Sequence, residues 1–271
     1  MKNNYKLGAL LSIVGFLAGV LTLYFLADTY NTVIHTHYNA GQWEESNTVR
    51  IVYTVLGWLG TAAGALSAAV FWGFIKKQDW AWFWGAVAGT ILLLAGFFPM
   101  IPAADSGLPT PTLWVFLLAA VVWFGMLLIG GVNNKVIGLT FTAGLAYVLT
   151  FIDGVAPISK FQTTFQPAEV FVQNSTTFWN GFYVIAQQVN WWGAAAWAIF
   201  IFGAIKQKSW AIPVGIFAGT MSIIGGYPMG INHVIEARRF SMFLPAPILS
   251  TILVIVLCLP GMQMLITGKE D

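Results

Sequence analysis

Charge is what this chain of 271 residues has least of: Lys, Arg, Asp and Glu together make up 8% of it, against roughly 25% in an ordinary soluble domain. So few charges cannot cover a water-facing surface of this size, so the bilayer must be the solvent for much of the molecule. Cysteine is nearly missing as well. Cys258 stands alone in an apolar stretch, which excludes an intramolecular disulfide and a thiolate metal cluster. The three histidines all fall outside the middle of any apolar stretch, which disfavours a haem held by two in-membrane histidines. There is no basic run to bind nucleic acid or an anionic lipid patch. Phosphate-binding loops, dinucleotide fingerprints, His-Glu-x-x-His and Gly-x-Ser-x-Gly elements are absent, so nothing marks an enzyme or names a cofactor.

What is abundant is apolar sequence, 58% of the residues. A helix needs about 20 such residues to cross the hydrocarbon core. Eight stretches approach that length, at 7–28, 52–75, 80–102, 112–131, 136–157, 185–205, 210–229 and 248–266. They predict an all-α, polytopic membrane bundle of eight transmembrane helices, with the lipid bilayer as its first partner. In that alternation Lys2, Lys6, Lys76, Lys77, Lys135, Lys206, Lys208 and Lys269 share one side, while Arg50, Lys160, Arg238 and Arg239 share the other. The excess marks the cytoplasmic face, so both termini are expected there and the loops at 35–50 and 159–180 outside. The first segment is longer than the roughly 7–15 residues of a secretory signal core and lacks a small-x-small end, so it reads as retained. Many of the 13 tryptophans fall at predicted interfaces, as in an aromatic belt.

The chain also repeats itself. Ile75-Lys76-Lys77-Gln78-Asp79-Trp80-Ala81 matches Ile205-Lys206-Gln207-Lys208-Ser209-Trp210-Ala211, 130 positions later. At the same offset Gly73, Gly85, Ala88-Gly89-Thr90 and Gly96 match Gly203, Gly215, Ala218-Gly219-Thr220 and Gly226. Phe98-Pro99-Met100 pairs with Tyr227-Pro228-Met229, and Leu108-Pro109 with Leu244-Pro245. Leu17-Ala18-Gly19-Val20-Leu21-Thr22 likewise pairs with Leu145-Ala146-Tyr147-Val148-Leu149-Thr150. Ordered matches through four segments predict tandem duplication of a four-helix unit, with repeats at 1–134 and 135–271. An even-numbered unit enters the membrane twice in the same sense, which gives parallel repeats. Pro109, Pro111, Pro245 and Pro247 are placed to open helices, and Pro99 and Pro228 to end or bend them.

Polar candidates gather on the outer side. His35, His37 and His233, with carboxylates nearby, form a conceivable zinc or copper set, against the plainer reading of histidines at headgroup level. Arg238 and Arg239 run against the charge bias, so Glu236, Asp105 or Asp153 is expected to pair with them structurally. An anionic ligand held by Arg238, Arg239, Glu236 and Asp105 is the functional counterpart. Asp28 and Asp153 are expected at outer helix ends, with Gln187, Gln188 and Asn190 at the depth of Asp153. With no ionisable group deep in the bilayer, coupled-ion sites are disfavoured. The resulting reading is a transporter- or permease-like protein with a polar or anionic ligand site on its outer face. Its rivals are a non-catalytic subunit or scaffold for a membrane-protein partner and an outward-facing metal-binding protein. Candidate partners are a small solute, a lipid or another membrane protein, and not nucleic acid.

Overall fold

Along the first helix, Leu10, Ile13, Leu17, Val20 and Tyr24 are exposed at three- and four-residue steps, while Leu11, Gly15, Ala18, Thr22 and Leu26 are buried. One face is therefore packed against protein and the other is an apolar stripe suited to lipid. A computed structural model describes residues 4–41, 43–162, 177–238 and 240–267, and among them there is no strand. The chain divides into two units, Met1–Asn134 and Lys135–Asp271. The first holds α1 (Tyr5–Asn39), α2 (Trp43–Ile75), α3 (Ala81–Phe97), α4 (Met100–Asp105) and α5 (Leu113–Ile129). The second holds α6 (Asn134–Gln162), α7 (Thr177–Ile205), α8 (Ala211–Ala237), α9 (Pro245–Leu257) and α10 (Pro260–Thr267).

Six helical stretches are long and apolar enough to cross a bilayer: Tyr5–Asn39, Ser46–Ile75, Ala81–Ala104, Asn134–Val155, Gly181–Ile205 and Ala211–Ile235. They give the chain the make-up of a multi-pass membrane protein. Two of the eight expected spans fall short. At 17 residues, α5 reaches about 26 Å, less than the roughly 30 Å of a hydrocarbon core. The last apolar stretch is broken into α9 and α10, bent by 84°, and makes a seventh span only if that pair is counted as one. Pro260 opens α10 there; without an N–H, and with its ring against the preceding turn, it cannot carry α9 onward.

Prolines elsewhere do less than expected. Pro228 lies inside α8, which continues to Ala237. Phe98 and Pro99 keep right-handed helical angles, so α3 leads into α4 with little interruption. The helices also run past their apolar stretches. α1 ends at Asn39 and α2 begins at Trp43, so the expected 35–50 loop is mostly helix.

Within each unit the same local devices recur. After α2 and after α7 the chain turns through a left-handed residue, Lys77 (φ 55°) and Gln207 (φ 51°). In both turns the next amide reaches back five residues, Gln78 to Gly73 and Lys208 to Gly203, each at 2.9 Å. Those hydrogen bonds close the helix in the manner usually reserved for glycine. In the second turn, partial burial and then the neighbouring Lys208 hold the Lys206 ammonium below its usual pKa. Gly73 lies under the ring of Trp80, and Gly203 under that of Trp210. Tyr53 donates to the Pro99 carbonyl at 3.0 Å and Tyr183 to the Met229 carbonyl at 3.3 Å, in each case 46 residues along. Three glycines of α3 face α5 at Met126, Trp123 and Phe116; three of α8 face α9 at Leu257, Val254 and Pro247. Such small residues let helices approach closely where apolar surface alone gives no drive to associate.

Candidate functional site

Each expected site residue has a definite surrounding, and the structure does not bring the histidines of α1 together. His35 and His37 lie on a helix, where positions two apart point to different sides; His35 is exposed and His37 buried. His37 Nε2 lies 3.2 Å from the Pro102 carbonyl and 2.9 Å from Ser106 Oγ, consistent with a ring protonated on Nε2. His233 belongs to the other unit, with Nδ1 3.1 Å from Ser241 Oγ and the ring edge-on to Phe243. Among the described residues no three His, Cys, Asp or Glu side chains gather in a metal-binding arrangement. Arg238 is exposed and ends α8 in a left-handed conformation, φ 51°. Arg239 and the side chains of Glu236 and Asp105 lie outside the described residues.

The strongest polar cluster is one the sequence placed wrongly. Asp153 is not at an exposed helix end. α6 continues beyond it to Gln162, and its side chain is completely buried; Asp28, expected at the same depth, is exposed. Neither oxygen of Asp153 has a hydrogen-bond partner among the described residues, nor does either polar atom of Asn190, which is also fully buried on α7. Both side chains rest on adjacent glycines of α8. A β-carbon on Gly225 would lie 2.7 Å from Asn190 Oδ1, and one on Gly226 would lie 3.2 Å from Asp153 Oδ2 and 2.8 Å from Pro247 Cδ. Without side chains at these two positions, α8 leaves room for the amide and the carboxyl, with α9 beside the carboxyl.

Further polar groups flank this pair. One turn back on α6 and on α8, Thr150 donates to Ser222 at 3.1 Å. Two turns back on α8, Gly219 faces both Trp197 and the backbone of Ser250; the Trp197 Nε1 and Ser250 Oγ are again buried without partners. From Gly226 to Gly219 is about 10 Å along a helix axis. Along that length, unpartnered polar atoms of Asp153 on α6 and Asn190 on α7 face α8, and those of Trp197 and Ser250 belong to residues that touch Gly219. Each such atom costs free energy when buried dry.

A signal for this cluster was present. The pairing of Leu17–Thr22 with Leu145–Thr150, carried three residues on, sets Asp153 against Phe25 of the first unit, a residue packed on that unit's core. That register puts the aspartate inside the bundle. No family model, curated protein or solved structure matches the chain, so the arrangement of these side chains is what speaks for function.

Proposed function

We propose that this is a transporter- or permease-like membrane protein, built by duplication of a four-helix unit, in which the second unit carries the path for a small polar solute. One observation carries the reading: buried polar atoms of Asp153, Asn190, Trp197 and Ser250, residues along one stretch of α8, lack partners among the described residues. A purely structural core would favour apolar side chains there, since unpaired polar groups destabilise it. A binding route has a use for them. The duplication is supported by the matched turns, tyrosine hydrogen bonds and glycine contacts 130–131 positions apart. On that reading α5 and the bent α9–α10 pair are the fourth spans of their units, making eight. The lysine bias then puts both termini in the cytoplasm.

The test is flux. Full-length protein in liposomes is compared with empty liposomes for uptake of sodium, potassium, small amines and small carboxylates. Solute-dependent flux should appear and should be lost in Asn190→Leu and Ser222→Leu, which dry the interior, but persist in Leu92→Ile of the first unit. No flux above empty liposomes for any of these solutes would overturn the reading. Exposed Arg238 favours a second reading, an anionic ligand at the outer end of α8. In that case Arg238→Ala, and not Asn190→Leu, impairs carboxylate uptake.

A further inference from the structure

We infer that Asp153 and Asn190, on the adjacent glycines Gly225 and Gly226, form a binding site for one monovalent cation that exchanges against a proton on the Asp153 carboxyl. This names the substrate class of the proposed path and rests on that reading for its place in transport; the binding itself is tested separately.

The donor chemistry narrows the ligand. The acceptors without a partner among the described residues are the two Asp153 oxygens and Asn190 Oδ1, all oxygen and all buried. Oxygen sets without imidazole or thiolate suit hard cations and not zinc or copper. One carboxylate balances one positive charge. A calcium ion takes about 6–8 oxygens and would leave net charge in an apolar interior. An anion would face the carboxylate directly, with no arginine or lysine among α7 and α9 residues to receive it.

Electroneutrality supplies the exchange. A lone carboxylate among apolar side chains is costly, so a companion positive charge is required, either the cation or a proton. The step is balanced: the neutral carboxyl plus M⁺ gives the carboxylate–cation pair plus a released proton, with no redox partner. The ionisable side chains described on α7 and α8 are engaged elsewhere. Tyr183 of α7 donates to the Met229 carbonyl, Tyr227 of α8 lies 3.1 Å from Thr251 Oγ1, and His233 of α8 lies 3.1 Å from Ser241 Oγ. α9 has no ionisable residue. On α6 the nearest is Tyr147, nearly two turns away.

The experiment uses the full chain in nanodiscs, weakly buffered, with a pH-indicator dye. Adding NaCl, KCl or LiCl should release protons saturably, approaching one per chain, while choline chloride releases none. Asp153→Asn should abolish the release, and Asn190→Ala should raise the half-saturating concentration about tenfold. Should Asp153→Asn fail to fold, the wild-type protein decides: dicyclohexylcarbodiimide should modify Asp153, and the cation that releases protons should slow this. Absence of release with all three salts, release that persists in Asp153→Asn, or labelling indifferent to the salts would overturn the site. Cation-linked proton release with no flux in liposomes would remove the transport reading and leave the site; flux with no proton release would do the reverse.

Discussion

Leu92 on α3 and Ser222 on α8 sit 130 positions apart, four residues before Gly96 and Gly226, and both are buried. Around Leu92 the first unit closes with Ala18, Ala63, Val115 and Ala119, backed by Leu21, Phe25 and Ile91. In the second unit Ser222 accepts from Thr150, and Asn190, Asp153 and Ser250 are likewise fully buried. At the 130-residue offset Gly60 answers to Asn190. If Phe116, on Gly96, answers to Pro247, on Gly226, then Ala119 answers to Ser250. The first unit shows what these helices do when they only need to pack. Three of its buried hydroxyls, Ser12, Thr22 and Ser67, donate within their own helices, while Thr48 Oγ1 is buried with no partner among the described residues. The second shows the same helix contacts around an interior in which Asp153, Asn190, Trp197 and Ser250 carry buried polar atoms with no partner among the described residues, a concentration that stability alone does not explain.

Four sets of substitutions probe that contrast, the largest effect first. Gly19→Leu forces a side chain into the crossing of α1 and α2, where even a β-carbon would lie 2.5 Å from Gly64 Cα. We expect destabilisation of at least about 3 kcal/mol, read as loss of monodisperse protein in detergent or early denaturant unfolding. Asp153→Leu gives the second unit an apolar residue, as the first has in Phe25. It should stabilise by about 1–3 kcal/mol in the same unfolding assay while abolishing cation-driven proton release; lower stability would mean that the carboxyl is structurally satisfied after all. Tyr53→Phe should cost about 1 kcal/mol for the hydrogen bond to the Pro99 carbonyl. Tyr183→Phe should cost more, about 1–3 kcal/mol, because Asn232 Nδ2 also loses its acceptor at 3.1 Å; equal losses would show that the second unit's extra link carries no weight. Lys77→Gly and Gln207→Gly relieve a left-handed residue in each unit and should each stabilise by about 0.5–1 kcal/mol.

The helical, membrane-spanning character was legible because it depends on composition and on the length of apolar runs, both local properties. Span ends were not. His35 and His37 read as loop residues, yet their backbone continues α1, since helices can extend beyond the lipid where hydropathy falls. Pro260 broke the last span at a position where hydropathy stays high. Asp153 was misjudged for a related reason. Depth was inferred from where the apolar run ends at 157, whereas burial depends on which face of α6 meets α7 and α8. Nothing in a single segment says that Asn190 rests on Gly225.

The matched glycines have a consequence for how such a chain changes over time. Helix positions are set by ridges where backbone meets ring or backbone, at Gly85, Gly89 and Gly96 and again at Gly215, Gly219 and Gly226. Residues between those ridges are released from holding the frame. Serine can therefore stand in one half where leucine stands in the other while each keeps its architecture, so each half serves as an experimental control for the other.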